Sequence, residues 1–136
     1  MCGLAGFFGF SNAVARVGPR AILRDMGNRI AHRGPDDADI WFDEAVGIGL
    51  SHRRLAIVDL SPAGHQPMFS ASGRWVTVYN GEIYNHAAMR VSLERAGLAP
   101  AWRGHSDTET LLASIEAWGL EATLERSVGM FALALW

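Results

Sequence analysis

Lysine is absent from this chain of 136 residues, and cysteine occurs once. Its 12 basic side chains are therefore all arginine, set against 14 acidic ones for a formal net charge of −2. No cluster of them could neutralise a phosphate backbone or an anionic membrane surface, which argues against nucleic acid and membrane as partners. One thiol cannot close an internal disulfide, so nothing requires an oxidising compartment. No apolar run reaches the roughly 20 residues of a membrane helix. The first 15 residues lack the basic start and long apolar stretch of a secretory signal, and the expected setting is cytoplasmic. The phosphate loops GxxxxGK[ST] and GxGxxG are missing. The five histidines, His32, His52, His65, His86 and His105, have no metal-ligand spacing. Neither a metal nor a cofactor is expected in this chain.

What is present is apolar material: 49% of residues are hydrophobic and 10% aromatic. A domain of this length can bury roughly two-thirds of its unfolded surface, so residues 1–136 are read as one domain. The small apolar segment 2–10, bounded by Ser11 and Asn12, predicts a buried first strand whose glycines admit close approach of a backbone or ligand. Pro19 opens a helix with Ile22, Met26 and Ile30 on one face, ending before Gly34 and Pro35. Strands are expected at 40–42, 46–50, 55–58 and 75–79. Asn85 should cap a helix to Arg95, stopped by Gly97. Ser106 and Glu109 have capping-box spacing, so a further helix begins at Asp107, carries Leu111, Leu112, Ile115 and Trp118 inward, and closes at Gly119. Residues 130–136 form an almost wholly apolar strand. Because a buried strand needs hydrogen-bonded neighbours, the polypeptide is expected to continue past Trp136. The mixture predicts an α+β layered domain.

Cys2 directly follows the initiator Met1. Removal of Met1 would leave Cys2 with a free α-amino group, whose ordinary pKa of about 7.7–8.0 suits it to take up a thiol proton. One residue would then be nucleophile and base together. Set against this, a free cysteine is commonly a small core hydrophobe. Asn80-Gly81 could supply an oxyanion hole from a side-chain amide and an unobstructed backbone N–H, although Asn-Gly is also the strongest short hairpin signal. Arg54 could fork onto a carboxylate, and Asp107 at a helix start could hold an ammonium. Each is also an ordinary surface or helix-start residue.

Six segments in order change the balance: MCGLAGFFG at 1–9, HRGPDD at 32–37, SHRRLAIVDLSPAGHQPM at 51–68, YNGEIYNH at 79–86, SDTE at 106–109 and GMFALALW at 129–136. Together they resemble the glutaminase domain of class II glutamine amidotransferases, most closely that of glutamine-hydrolysing asparagine synthetases. The resemblance implies a four-layer α/β/β/α sandwich of the N-terminal nucleophile hydrolase type, incomplete here at its C-terminus. It implies Cys2 as nucleophile and Asn80 and Gly81 as oxyanion hole. Arg54 would take the α-carboxylate of L-glutamine, and Asp107 with Glu82 its α-ammonium. Ile57 and Val58 match positions whose backbone lines the pocket, and Arg33 is placed near the mature N-terminus. It also implies a downstream synthetase domain, outside this chain, where ATP and magnesium activate an acceptor, and leaves a homodimer open. Relatives serving polysaccharide or antibiotic pathways share these motifs with other acceptors. A non-catalytic regulatory domain and a Cys–His hydrolase stand as the competing readings.

Overall fold

The computed structural model describes residues 2–9 and 18–136. Met1, and the boundary expected at residues 10–12, lie outside the described residues. The described elements are strand β1 (Gly3–Phe8), helix α1 (Pro19–Arg29), strands β2 (Asp37–Asp43), β3 (Ile48–Arg54), β4 (Met68–Phe69) and β5 (Val76–Ile83), helices α2 (His86–Arg95), α3 (Asp107–Trp118) and α4 (Leu120–Arg126), and strand β6 (Gly129–Leu135). The strands form two antiparallel three-stranded sheets, ordered β1-β3-β2 and β4-β5-β6. The protein is α+β, as the mixture of periodicities predicts.

Alternation along each strand sends neighbouring side chains to opposite faces, and here both faces of both sheets find apolar partners. On the first sheet, Leu23 of α1 packs over Gly49, where an added Cβ would lie 2.7 Å from the leucine methyl. Gly27 of the same helix sits against Ser51, and Arg53 Nε reaches back to Gly27 O at 3.0 Å. The opposite faces of the two sheets meet through Leu50, Val76 and Val78, with Leu4, Trp41 and Ala134 packed around them. The far face of the second sheet carries Tyr79 and Ile83 against Met89 of α2 and Leu111 and Ile115 of α3. Leu23, Leu93, Leu111 and Leu112 are almost wholly excluded from solvent; each contributes roughly 1.5–3 kcal/mol of transfer free energy.

Several expectations are corrected. Residues 55–58 are not a strand: β3 runs from Ile48 to Arg54 and the chain then leaves the sheet. Arg54 is the cause, because its guanidinium donates to Ser61 O at 3.0 Å and also to Asp59 O, curling the following loop around itself. Arg54 is therefore the last residue of β3. Val46 lies in the β2–β3 turn, where Asp43 Oδ1 accepts from the amides of Ala45 and Val46. In α1 the buried residues are Leu23 and Gly27, flanked by half-buried Ile22 and Met26, and the helix stops at Arg29 with Ile30 as its C-cap. Asn85 stands at the N-cap of α2 but its side chain caps nothing. It donates to Arg126 O at 2.8 Å and accepts from Val128 N at 2.9 Å, pinning the approach to β6. β6 itself is only half-buried, with Met130 71% exposed, because it edges its sheet.

The hairpin reading of Asn80-Gly81 is also overturned. β5 continues through both residues to Ile83, with Asn80 opposite Ala132 and Gly81 opposite Phe131. Glycine is required at 81 by close approach: a Cβ there would overlap Met130 O and Phe131. Among the glycines of the first strand, Gly6 lies against the backbone of Gly49, as the close-approach expectation has it.

Candidate active site

The start of β1, the end of β3, the end of β5 and the N-terminus of α3 converge on one cleft of about 520 Å³. Cys2, Arg54, Ile57, Val58, Asn80, Gly81, Glu82 and Asp107 all line it. These are the eight site residues named from the sequence, drawn from four separated segments.

Cys2 is half-buried and not sealed into an apolar core. Its Sγ accepts from the Leu55 amide at 3.4 Å and lies 3.6 Å from Leu55 O, so the first backbone unit beyond β3 holds the sulfur. Arg33, in the one-turn 3₁₀ helix Ala31–Arg33, donates from Nε to Cys2 O at 3.3 Å. The residue next to the chain start is thus fixed at side chain and carbonyl by two different segments.

Asn80 presents a buried Oδ1 with no hydrogen-bond partner, and among the described residues its side chain makes no hydrogen bond. Buried polar atoms are rarely left unpaired, and an unpaired amide in a cleft is the pattern expected of a group that meets a ligand. Glu82 is two residues on, hence on the same face of β5. It is exposed and takes part in no ion pair among the described residues.

Arg54 is 8% exposed. Two of its five N–H donors hold the carbonyls of Ser61 and Asp59, leaving the rest for the cleft. Asp59 in turn accepts from Ser61 N and from His105 N, both at 2.8 Å, tying the loop after β3 to the residues that lead into α3. The Ser61 side chain first, and then the amides of His105 and Ser61, hold the Asp59 carboxyl down at a pKa of about 2. Ile57 and Val58 sit in this loop, 67% and 45% exposed, at the rim of the cleft.

Asp107 opens α3 behind its cap Ser106, whose Oγ accepts from Glu109 N at 3.2 Å. The capping box closes only on that side. Glu109 turns instead to the incoming loop, accepting from Arg103 N at 2.8 Å and Gly104 N at 3.1 Å and pairing with Arg90 at 3.1 Å. Asp107 is 5% exposed; its Oδ2 accepts from the Tyr79 hydroxyl at 2.8 Å and the Ile83 amide at 3.0 Å.

A model of the glutamine amidotransferase domain matches residues 1–136. The chain belongs to that family. It is similar over its whole length to asparagine synthetase [glutamine-hydrolyzing] 1 of Bacillus subtilis (strain 168), at 35% identity and covering 21% of that protein. Asparagine synthetase B [glutamine-hydrolyzing] of Escherichia coli (strain K12) is 36% identical, with 23% covered, and amidase chry2 of Gibberella zeae is 34% identical, with 21% covered. The chain therefore spans about a fifth of the length of the curated relatives it matches.

Lining residues that the sequence did not single out include Asp59, Gln66 and Tyr79, together with Leu55, which enters through its backbone. Tyr79 precedes Asn80 directly, but strand alternation argues for the opposite face, so only the tertiary path of α3 brings its hydroxyl to Asp107. A backbone donor such as Leu55 N has no residue-type signature at all.

Proposed function

We propose that this amidotransferase domain hydrolyses L-glutamine to glutamate and ammonia through a thioester on Cys2, with Met1 removed. The observation that carries the reading is the meeting in one cleft of Cys2 with the unpartnered amide of Asn80. The Cys2 α-amine takes the thiol proton, and the thiolate adds to the side-chain amide carbon of glutamine. The oxyanion that forms accepts from Asn80 Nδ2 and Gly81 N. Collapse expels ammonia, protonated by the same amine, and water cleaves the thioester to release glutamate and regenerate the thiol. Arg54 takes the α-carboxylate, Asp107 with Glu82 takes the α-ammonium, and Ile57 and Val58 close the rim.

No histidine lines the cleft among the described residues, which favours the terminal amine over a Cys–His pair as base. The packing of α1 on one sheet, sheet on sheet, and α2 with α3 on the second supports a four-layer α/β/β/α sandwich of the N-terminal nucleophile type. The names of the bacterial relatives, glutamine-hydrolysing asparagine synthetases, support a reading in which the ammonia serves asparagine synthesis; a separate synthetase domain using ATP and magnesium, in a cytoplasmic enzyme, is part of the same proposal. The similarity to a protein named as an amidase favours, as a second reading, an amidotransferase serving a different acceptor.

Mass spectrometry of the purified protein should show Cys2 at the N-terminus, and Cys2→Ala should abolish ammonia release from glutamine. Retention of Met1 in active material, or undiminished release by the variant, would overturn the reading.

A further inference from the structure

A closed circuit of side chains stands behind Asp107. Tyr79 donates from its hydroxyl to Asp107 Oδ2 at 2.8 Å. The Tyr79 amide donates to Gln66 Oε1 at 2.6 Å, and Gln66 Nε2 donates to Thr108 Oγ1, one residue beyond Asp107, at 3.4 Å. The Tyr79 carbonyl faces His52 Nε2 at 3.0 Å, and its ring packs among Ile83, Met89, Leu111 and Ile115. Tyr79 is thus held at amide, carbonyl, ring and hydroxyl, and only 2% of it is exposed.

The consequence falls on one carboxylate. Oδ2 is saturated by Tyr79 and Ile83, so the Asp107 side chain cannot rotate without leaving two buried donors unpaired. Oδ1 accepts only from the neighbouring Thr108 amide at 3.0 Å among the described residues, and no cation pairs with the carboxylate there. Burial and the adjacent carboxylate both push the Tyr79 phenol far above its ordinary pKa, so it stays a donor throughout the working range.

We propose that Tyr79 is a positioning residue for substrate specificity: by occupying Asp107 Oδ2 it aims Oδ1 at the α-ammonium, so that the cleft selects an α-amino acid amide over a simple amide. This rests on the assignment of Asp107 to the ammonium. The phenol touches no reacting atom, and its effect is on binding, not on thioester chemistry.

The test compares Tyr79→Phe with the unaltered protein, in the full natural polypeptide. Two competitive inhibitors share the five-carbon skeleton, L-glutamate with an ammonium and glutarate without one. The phenyl ring keeps the apolar packing, so the variant should fold, with its melting temperature recorded in parallel. The KM for glutamine and the Ki for L-glutamate should each rise about tenfold, the size expected for loss of a hydrogen bond to a charged group. The kcat should hold within about twofold, and the Ki for glutarate should not move. Equal shifts for both inhibitors, no shift for either, or a fall in kcat at constant KM would overturn the proposal. Asp107→Asn separates the two layers of inference. If it discriminates between the inhibitors and Tyr79→Phe does not, only the role of Tyr79 fails; if neither discriminates, the ammonium assignment fails with it.

Discussion

Single residues in this cleft carry two duties, and substitutions will report both. Arg54 turns a strand into a loop by holding the carbonyls of Asp59 and Ser61, and on the proposed reading it also takes the substrate carboxylate. Arg54→Lys keeps the charge but loses the planar fork. Steady-state kinetics should show a KM for glutamine raised at least tenfold with kcat much less affected. Asn80 has no structural partner to lose among the described residues, where its side chain makes no hydrogen bond. Asn80→Ala should therefore leave the melting temperature near that of the unaltered protein while lowering kcat about a hundredfold or more, the cost of one oxyanion donor. Equal effects on KM and kcat in both variants would contradict the assignments.

At the scale of elements, the site depends on two contacts between separate segments. The first is the β5–β6 pairing at Gly81, where any Cβ meets the opposing backbone. Gly81→Ala should cost about 1–3 kcal/mol of overpacking strain and displace the proposed oxyanion donor. Urea unfolding and ammonia release should therefore both fall, in contrast to Asn80→Ala. The second is Glu109, only 6% of whose side chain is exposed, which anchors the 103–104 loop and pairs with Arg90 in front of α3. Glu109→Ala leaves a largely buried guanidinium without its carboxylate, and chemical denaturation should show a loss of about 3 kcal/mol.

At the scale of the whole molecule, His52, Asp59 and His65 are among the described groups whose titration shapes stability against pH. Burial lowers the pKa of His52 from 6.5 to about 4. It folds neutral, so its contribution is complete above pH 6.5 and is lost as pH falls towards 4. Asp59, depressed from 3.8 to about 2, adds a further loss below 3.8. His65 runs the other way. Partial burial lowers its pKa, but its hydrogen bonds to Asp37 at 2.6 Å and Asp39 at 3.1 Å more than offset this and leave it raised. Its contribution is complete below pH 6.5 and fades as pH rises through the raised value. Stability should peak near pH 6.5, with urea midpoints falling on both sides. His65→Gln should flatten the alkaline side and, because Asp37 loses the partner that lowers its pKa, also lessen part of the acid fall, leaving the share of His52 and Asp59; an unchanged alkaline limb would refute the role of that pair.

The sequence alone determined which residues could do chemistry and where the local signals were strong. The motif order names a nucleophile, an amide and three charged groups, Arg54, Glu82 and Asp107, and those side chains do line one cleft; Pro19 and the Ser106 cap mark two helix starts. Local pattern could not decide whether Asn80-Gly81 turns or runs on, because a hairpin signal loses once β6 offers a partner and its backbone comes too close for any side chain. Nor could it show that residues 55–58 leave the sheet, since the cause is a guanidinium gathering carbonyls five and seven residues ahead. Tyr79 is the clearest case: its face is set by strand alternation, but its partner is set by where α3 begins, and that position exists only once helix and sheet have packed.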